Sequence, residues 1–388
     1  MKSEWKIMRA DEFCSAVTDG THDSPKPQLS GKKLITSKHL KGTRIDFASA
    51  NWIKEEDYKK MVIRSKVEQW DILYSMIGTI GNIYMEKNAD TEYACKNVGI
   101  FKLAGRKSDA YWLYYYLQSK NVREYINAQL RGSTQSYIPL GALRGMPIIV
   151  PPKEMQKKIV DILWAFDEKI ELNNNVNENL QQQATALFDS LYNNADNGVP
   201  FTDIIQILGG GTPKTKESLY WNGNIPFFTP KDVGSPYTLT TEKTITEDGF
   251  AHCNSHLYPP NTVFVTARGT VGKVGMAGIP MAMNQSCYAL VGKETHQLLV
   301  YFYTLKVVDR LKHKASGAVF DAITTRDFES EEIMKLSDRA AEMFLNVAEP
   351  IYQAILSNSI ENLRLAALRD ELLPKLMSGE IDVSNLQV

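Results

Sequence analysis

Residues 161–194 read DILWAFDEKIELNNNVNENLQQQATALFDSLYNN, and most of the architecture follows from this stretch. Between residues 154 and 193, two sets of positions recur about every 3.5 residues, which is the heptad pattern of a helix that packs along another helix. One set is Leu163, Ile170, Asn177, Ala184 and Leu191, and the other is Ile159, Phe166, Asn173, Leu180 and Leu187. At 1.5 Å per residue, this helix would span roughly 60 Å.

A second copy of the helix lies 185 residues downstream, from about Asp338 to Met377. The corresponding pairs are Phe166 and Ile351, Ile170 and Ile355, Asn173 and Asn358, Asn177 and Asn362, Leu180 and Leu365, Leu187 and Leu372, and Leu191 and Leu376. Pro350 is predicted to kink the first turns of this copy, and Pro374 lies near its end. Two such helices in one chain are expected to pack antiparallel to each other.

The sequence upstream of each helix is duplicated as well. The matched segments are Asp19–Thr21 and Gly210–Thr212, Thr36–Lys38 and Thr229–Lys231, Ile77–Gly81 and Arg268–Gly272, Asn97-Val98 and Asn284-Gln285, and Gly132–Ile138 and Gly317–Ile323. The repeat is therefore one module of about 150 residues followed by one helix. The predicted boundaries are 1–151 for the first module, 152–197 for its helix, 198–336 for the second module and 337–388 for the last helix.

The modules are predicted to be mixed but rich in strands. Asp71–Met76 and Asn261–Thr266 are predicted strands because of their β-branched and aromatic content, and the Gly-Thr-x-Gly after each predicts a hairpin turn. A helix is predicted in each module, over Tyr111–Asn127 and Gln297–Lys314. The fold class is therefore α+β, with two strand-rich globular domains, each followed by a long helix, and the two helices pairing as an antiparallel coiled coil.

Each long helix carries two asparagines within its heptad positions, Asn173 and Asn177 in the first and Asn358 and Asn362 in the second. One interpretation is a weak, solvated break in the coil. The other is that the amides hydrogen bond across the pair and fix its register. The sequence leaves both open.

Composition excludes several classes of protein. The chain has 388 residues, enough for two to three domains, and no run of about 18 apolar residues that would span a membrane. The start, Met1–Lys6, lacks an apolar signal segment, so a cytoplasmic protein is expected. The scattered cysteines Cys14, Cys95, Cys253 and Cys287 form neither a disulfide framework nor a zinc pair.

The net charge of −1 is distributed unevenly along the sequence, with basic and acidic regions. Residues 1–150 hold 23 basic and 16 acidic residues, a net charge of +7, whereas residues 201–336 hold 13 of each. Residues 151–200 and 337–388 each hold 4 basic and 8 acidic residues. If DNA is the ligand, the modules should bind it rather than the acidic helices, and the first module should bind more tightly.

Motifs for catalysis are weak. The glycine-rich stretches 209–215 and 268–273 do not have the spacing of a nucleotide-binding loop, and Asp167-Glu168-Lys169 is predicted to be solvated helix surface rather than a nuclease centre. His252, Cys253 and His256 have a spacing that could hold a metal on a helix, but Asn254-Ser255 indicates a loop. The sequence therefore predicts a non-catalytic chain without a metal site.

Basic and amide side chains in the modules are the candidate DNA contacts, because lysine and arginine bind phosphates and amides read base edges. In the first module they are Lys38, Lys41, Arg44, Arg64, Asn97, Arg131 and Gln135, and in the second they are Lys231, Arg268, Lys273, Asn284 and Gln285. Arg268 is the best individual candidate because Ile77 takes its place in the first module. A residue that reads bases should differ between copies that read different sequences.

Taken in order, these motifs resemble the specificity subunit of type I restriction–modification systems over essentially the whole chain. The resemblance rests on Asp19–Pro25 leading to Leu34–Lys38, Gly210–Pro213 leading to Phe228–Lys231, Arg268–Lys273, Asn284-Gln285, Ile149–Pro152 and Asp370–Ile381. The first module departs from the pattern, with Ile77, Asn82 and Asn97-Val98 where the second has Arg268, Lys273 and Asn284-Gln285.

The resemblance implies two target-recognition domains, each reading one half of a split DNA site, and paired helices that set the spacing between the half-sites. It also implies that the helices bind two modification subunits, which carry S-adenosylmethionine and methylate adenine. Motor–nuclease subunits would add ATP- and Mg-dependent cleavage, and no cofactor is expected on this chain.

Three alternatives stay open at this point. The modules could target DNA for a related methyltransferase or another phage-defence complex, which the neighbouring gene would identify. The chain could be an interaction protein, in which case its binding would lack the steep salt dependence of DNA contacts. It could be an enzyme itself, which methyl transfer by the isolated chain would establish.

Overall fold

The computed structural model describes residues 5–234, 236–314 and 322–384. The chain forms two compact units, residues 1–168 with 365–388, and residues 169–364. Each unit contains one globular module and two segments of long helix. The predicted α+β class, with strand-rich modules and long helices, is confirmed.

The first module alternates short strands and helices. Its elements are β1 (Lys6–Arg9), α1 (Ala10–Phe13), β2 (Ala16–Asp19), β3 (Lys32–Thr36), β4 (Asn51–Ile53), α2 (Glu55–Ser65), β5 (Ile72–Ser75), β6 (Ile83–Met85), β7 (Tyr93–Lys96), β8 (Val98–Lys102), α3 (Lys107–Tyr116), α4 (Lys120–Gln129), α5 (Leu140–Arg144) and β9 (Pro147–Val150). The long helix α6 (Lys153–Asn193) follows.

Three sheets organise this module. An antiparallel sheet has the order β2-β8-β5-β6, a second sheet has the order β4-β3-β7, and β1 pairs antiparallel with β9. All four residues of β5 are buried, as its β-branched and aromatic residues predict. The β1–β9 pair brings the two ends of the module side by side.

The helix predicted over Tyr111–Asn127 is wrong in one respect, because the structure has two helices there. α3 is buried along nearly its whole length and ends at Tyr116, and α4 begins at Lys120. The break is at Ser119, whose hydroxyl accepts a hydrogen bond from the amide of Val122 at 3.4 Å. Serine in this capping position starts a new helix rather than continuing one.

The second module repeats this plan. Its elements are β10 (Asn197–Pro200), α7 (Phe201–Ile204), β11 (Ile205–Gly209), β12 (Trp221–Phe228), β13 (Tyr237–Thr238), β14 (Lys243–Ile245), α8 (Glu247–Ala251), β15 (Val263–Thr266), β16 (Val274–Ala277), β17 (Ala282–Met283), β18 (Cys287–Gly292), α9 (Gln297–Lys314), α10 (Thr325–Glu329) and β19 (Glu332–Lys335). The long helix α11 (Asp338–Met377) follows.

The sheet orders confirm the duplication. β11-β18-β15-β16-β13 matches the first sheet of module 1 with one added strand, β14-β12-β17 matches the second, and β10 pairs with β19 as β1 pairs with β9. Residues 317–321 of the matched segment lie outside the described residues, but Ile323 is buried, as is its counterpart Ile138.

A buried acid lies close to the end of module 2. The Glu331 side chain is 2% exposed and forms ion pairs with Arg310 at 2.9 Å and with Lys314. Burial alone would raise the pKa of Glu331, but these two cations outweigh burial and lower it. The charged form of Glu331 is therefore stabilised in the folded unit.

The long helices pair antiparallel within each unit, as predicted. In the second unit the Asn173 amide donates to Asn362 at 2.9 Å, and the Asn358 amide donates to Asn177 at 2.8 Å. Asn177 follows Asn173 along α6, whereas its partner Asn358 precedes Asn362 along α11. The two helices are therefore antiparallel. α11 is one continuous helix through Pro350.

The prediction that Asp167 is solvated is wrong. Asp167 is 9% exposed and accepts hydrogen bonds from the hydroxyl of Tyr115 at 2.6 Å and from the guanidinium of Arg369. The heptad pattern marks only the side of α6 that faces the other helix. Asp167 follows the heptad position Phe166 at the margin of that side and is also covered by Tyr115 of the module, so the pattern could not identify it as buried.

The ends of the long helices extend the cores of the modules. Phe188 and Tyr192 of α6 belong to the core of module 2, and Leu373 and Met377 of α11 belong to the core of module 1. Each module is thus completed by a segment of long helix, which buries apolar area that the module alone would expose.

Candidate nucleic-acid interface

The Gly-Thr-x-Gly turn has the same internal hydrogen bonds in both modules. The Ser75 hydroxyl at the end of β5 accepts from the amide of Asn82 at 2.7 Å. The Thr266 hydroxyl at the end of β15 accepts from the amide of Lys273 at 2.9 Å. A hydroxyl residue at the strand end therefore holds each turn in the same shape.

Glycines are required at two positions of each turn. Gly78 and Gly81 have φ of +74° and +96°, and Gly269 and Gly272 have φ of +84° and +76°. Side chains other than hydrogen are strained at such angles. The turn backbone is therefore constant between the copies, and only the residues around the glycines change.

Three sequence-predicted segments of module 1 contact one another at one edge of the module, and they contain Thr21, Ser37 and Asn97. Thr21 pairs with Lys96 as a parallel bridge, and the ring of His22 lies 2.8 Å from the side-chain oxygen of Asn97. The Ser37 hydroxyl donates to the carbonyl of Asn97 at 3.0 Å. Asn97 has a φ of +53°, which a residue between β7 and β8 needs in order to turn this sharply.

The basic segment after β3 continues this edge. Lys38, Lys41 and Arg44 are all exposed, and the amide of Lys41 donates to the carbonyl of Arg44 at 2.9 Å. The Asn82 side chain donates to the carbonyl of Leu40 at 2.8 Å, which ties this segment to the Gly-Thr-x-Gly turn.

Arg131 and Gln135 lie on an exposed loop that packs beside the same turn. Backbone hydrogen bonds of 2.9 and 2.8 Å join Arg131 and Tyr137, and Ile77 pairs with Tyr137 as an antiparallel bridge. The side chain of Gln135 approaches Gly78. Six of the seven predicted residues of module 1 thus lie on segments that these contacts join into one strip, and all of the six except the half-buried Asn97 are exposed.

The seventh residue, Arg64, already has a partner. Its guanidinium lies 3.0 Å from the carboxylate of Asp19, which is 5% exposed and also lies 3.1 Å from His22. Asp19 therefore neutralises part of the charge that Arg64 would offer to a phosphate. Arg64 is 65% exposed and lies next to the strip, beside the segment of Thr21.

The exposed Lys38 and Lys41 place positive charge beside the buried ring of His39. Burial lowers the pKa of His39, the charges of these lysines lower it further, and the charge of Asp46 opposes them. The His39 ring accepts a hydrogen bond from the amide of Thr36 at 2.9 Å, so it is held in place as the basic segment leaves β3. A positive field of this kind attracts phosphates.

The amide residues of module 2 form the equivalent edge. The Thr212 hydroxyl donates to the side chain of Gln285, and the amide of Asn284 donates to the carbonyl of Phe228 at 3.0 Å. Gly210 packs so closely on Asn284 that a Cβ at Gly210 would lie 2.3 Å from a backbone oxygen. The Gly-Gly-Thr segment therefore needs glycine for close packing, and it is not a phosphate-binding loop.

Arg268 and Lys231 join this edge. The amide of Arg268 donates to the carbonyl of Ser286 at 3.2 Å, and the Thr270 hydroxyl donates to the carbonyl preceding Lys231 at 3.3 Å. Arg268 is exposed, whereas Lys231 lies 3.4 Å from the carboxylate of Glu242.

Lys273 lies elsewhere. It follows the turn and lines a groove beside α9 together with Val308, Asp309 and Lys312. Four of the five predicted residues of module 2 are therefore brought together, and the fifth faces a separate basic groove.

The candidate metal-binding residues are occupied by other contacts. The His252 ring stacks on Tyr220 with centroids 4.9 Å apart, the ring of His256 meets Tyr258 edge to face, and the Cys253 thiol donates to a backbone carbonyl at 3.4 Å. Within residues 5–234, 236–314 and 322–384, no group of three histidine, cysteine or carboxylate side chains is arranged to hold a metal ion.

Sequence reasoning missed His22 on the edge of module 1 and a lysine–tryptophan contact on the second sheet of each module. His22 was overlooked because module 2 has Pro213 at the matching place, so the duplication gave no signal. Lys33 lies 3.8 Å above the ring of Trp52, and Lys243 lies 5.5 Å from the ring of Trp221, on corresponding sheets. The lysine and tryptophan have exchanged strands between the modules, which a linear comparison could not detect.

The sequence matches the description "Type I restriction modification DNA specificity domain" over residues 2–182 and 198–335. The two matched ranges coincide with the two modules and most of α6. The chain belongs to this family. As a member, it has the role of recognising a DNA target for a restriction–modification system, and it is not itself a catalyst.

Individual relatives agree with the family. The chain is 24% identical over 403 residues to the type I restriction enzyme HindI specificity subunit of Haemophilus influenzae, covering 82% of this chain and 88% of that protein. It is 31% identical over 137 residues to the MjaIX specificity subunit of Methanocaldococcus jannaschii, covering 34% and 32%.

A solved structure shares the fold. The type I restriction–modification S subunit from M. genitalium superimposes with a TM-score of 0.54 at 15% identity, covering 96% of both chains. The family works in complexes with DNA and with the other subunits of the system. None of the helices in the described part of this chain combines the length and the low charge that a membrane span needs.

Proposed function

We propose that this chain recognises a bipartite DNA target with one module on each half-site and directs two adenine-modification subunits to it. The observation that carries the proposal is the duplicated edge, in which each module presents its matched segments around the same glycine turn. Equal backbones with different side chains suit two half-sites of different sequence.

The side chains of each edge differ in the part of DNA that they are suited to bind. Lys38, Lys41 and Arg44 are exposed cations suited to phosphates, and Gln135 and Gln285 are exposed amides suited to base edges. Arg268 is expected to read a base in the half-site of module 2, because arginine binds the major-groove edge of guanine with two hydrogen bonds.

The paired helices are the proposed docking surface for the modification subunits. They are acidic, and in the second unit the large apolar side chains of Leu172, Val176 and Leu363 are 55%, 47% and 43% exposed. Exposed apolar side chains among acidic residues are typical of a protein interface rather than of a DNA contact. Two matched helices fit two identical partners.

Cofactors are proposed to reside on the partners. S-adenosylmethionine would come with the modification subunits, and ATP and Mg with motor–nuclease subunits when these are present. A DNA target also requires the compartment that holds the DNA, so a cytoplasmic location remains our expectation.

The test is a genome-wide map of N6-methyladenine in a methylation-free host that expresses this chain with the neighbouring modification subunit. A single two-part motif that disappears when this chain is omitted would support the proposal. Arg268→Ala should relax one half of that motif and leave the other unchanged. A soluble complex that gives no methylation, or a motif in one part only, would contradict it.

The alternative is a DNA-targeting or scaffold subunit of another phage-defence or methyltransferase complex. The same experiment separates the two, because in that case a different neighbouring enzyme would be needed for activity at the motif.

A further inference from the structure

A buried ion pair joins the two long helices in the first unit. One carboxylate oxygen of Asp167 accepts from Arg369, and the other accepts from the Tyr115 hydroxyl at 2.6 Å. The side chains of Asp167 and Arg369 are 9% and 19% exposed. Burial alone would lower the pKa of Arg369, but Asp167 and Asp370 together outweigh burial and raise it, so the guanidinium is charged in the folded unit.

The corresponding place in the second unit carries no charged side chain. With the repeat offset of 185 residues, Tyr352 corresponds to Asp167 and Ala184 corresponds to Arg369. Tyr352 is 3% exposed, Ala184 is fully buried, and both belong to the core of module 2. The rings of Tyr301 and Phe302 lie 5.8 and 5.7 Å from the ring of Tyr352. The two units therefore fill the same position with opposite chemistry.

The duplication creates a pairing problem. Each half of the chain, a module with its own helix, matches the other half closely enough to pair with a second copy of itself. The asparagines do not prevent this. In a pair of two first halves, Asn173 would lie opposite Asn177, because Asn177 is the counterpart of Asn362. The Asn–Asn contacts set the register and would form in correct and incorrect pairs alike, and only the additional bond from Asn173 to Glu361 at 2.7 Å would be lost in a pair of first halves, where Val176 takes the place of Glu361.

We propose that the Asp167–Arg369 pair is the recognition element that makes each half select the other half instead of a copy of itself. In a pair of first halves, Asp167 would lie opposite Ala184 and lose its cation. In a pair of second halves, Arg369 would lie opposite Tyr352, lose the buried carboxylate of Asp167 and keep only the exposed carboxylate of Asp370 on its own helix. Leaving a buried charge without its partner is strongly unfavourable. This selection does not depend on the DNA-binding role.

The helix ends reinforce the selection. Phe188 and Tyr192 complete the core of module 2, and their counterparts Leu373 and Met377 complete the core of module 1. A pair of first halves would have to place two aromatic rings where module 1 accommodates Leu373 and Met377. Overfilling a packed core is itself unfavourable.

The test uses the folded full chain with a protease site placed between Asn194 and Asn197, in the connection between α6 and β10. After cleavage the protein is incubated below its melting temperature, and native mass spectrometry measures the three pairs of halves, which differ in mass. The wild type should keep unlike pairs in at least about tenfold excess over each like pair. The double variant Asp167→Tyr with Arg369→Ala copies the second unit and should move toward the statistical mixture.

A charge reversal is the matched control. Asp167→Arg with Arg369→Asp keeps a buried ion pair and should retain the excess of unlike pairs. A statistical mixture for the wild type, or an undiminished excess in the Tyr/Ala variant, would overturn the proposal.

If the cleaved halves aggregate, two differently tagged uncut chains are co-expressed instead. Asp167→Arg alone should then raise the co-purified fraction by about tenfold or more, and the charge reversal should return it to the wild-type level. An unchanged fraction for Asp167→Arg would overturn the proposal in that format.

Discussion

One added heptad in each long helix should lengthen the DNA spacing without changing the bases recognised. The insertion belongs between Asn177 and Leu180 in α6 and between Ile355 and Asn358 in α11, because the Asn177–Asn358 contact places these segments opposite each other. Seven residues add about 10.5 Å of helix. With a rise of about 3.4 Å per base pair, this is at most about three base pairs.

The rotation of the duplex reduces that limit. Three base pairs also turn the second half-site by roughly 100° about the DNA axis, since one turn takes 10–10.5 base pairs. The expected gain is therefore one to three base pairs, with both half-site sequences unchanged because no residue of either edge is altered.

The assay is the methylation map of the inserted variant beside that of the wild type. An insertion in α6 alone is the control, and it should abolish methylation because the added heptad has no partner segment in α11. A changed base preference at unchanged spacing would refute the view that the helices set the distance.

Three further changes test other parts of the structure. Arg268→Ala should cost about 1–3 kcal/mol of binding free energy at one half-site; fluorescence anisotropy with duplexes altered in one half-site at a time measures this, and equal losses at both would argue against base reading. Glu331→Gln should lower the unfolding free energy by about 1–3 kcal/mol at neutral pH, because Glu331 is buried but its partners Arg310 and Lys314 are partly exposed. Because the folded-state pKa of Glu331 is lowered, the wild type loses this advantage as pH falls below about 4.5; thermal melts across pH, with exposed Glu329→Gln as control, should show the two proteins converge in acid. Asn177→Leu with Asn358→Leu should raise the Tm but give mixed oligomers in light scattering, because a buried asparagine pair specifies register at a cost in stability; a lower Tm with a single species would contradict this.

The architecture could be predicted because duplication and heptad spacing are long-range patterns that survive sequence change. The bounds of α9 and α11 were predicted to the residue, and the strand β15 within two residues at its start. Asp167 was mistaken for surface, because a heptad identifies one contact face and α6 has two. The break at Ser119 was missed, because a single capping serine is a weak signal inside a run of apolar and aromatic residues.

The grouping of the candidate residues could be predicted only in part, and their contact with DNA stays a prediction. The motifs that the repeat marked, around Asn97, Arg268 and Gln285, do converge at one edge of their modules. Arg64 was chosen for its charge alone, and the structure shows that Asp19 partly neutralises it. Lys273 was grouped with Arg268 because it is near in sequence, whereas the turn sends it to the groove beside α9.

The strand pairs at the module ends have a consequence for how such chains can change. Lys6–Arg9 pairs with Pro147–Val150, and Asn197–Pro200 pairs with Glu332–Lys335, so each module begins and ends at neighbouring points. Everything between the two strands is an insert with adjacent ends. A recombination event that keeps this strand pair can therefore replace a whole recognition surface in one step, while the long helices stay as they were. DNA specificity can then be exchanged between chains as a whole module instead of residue by residue.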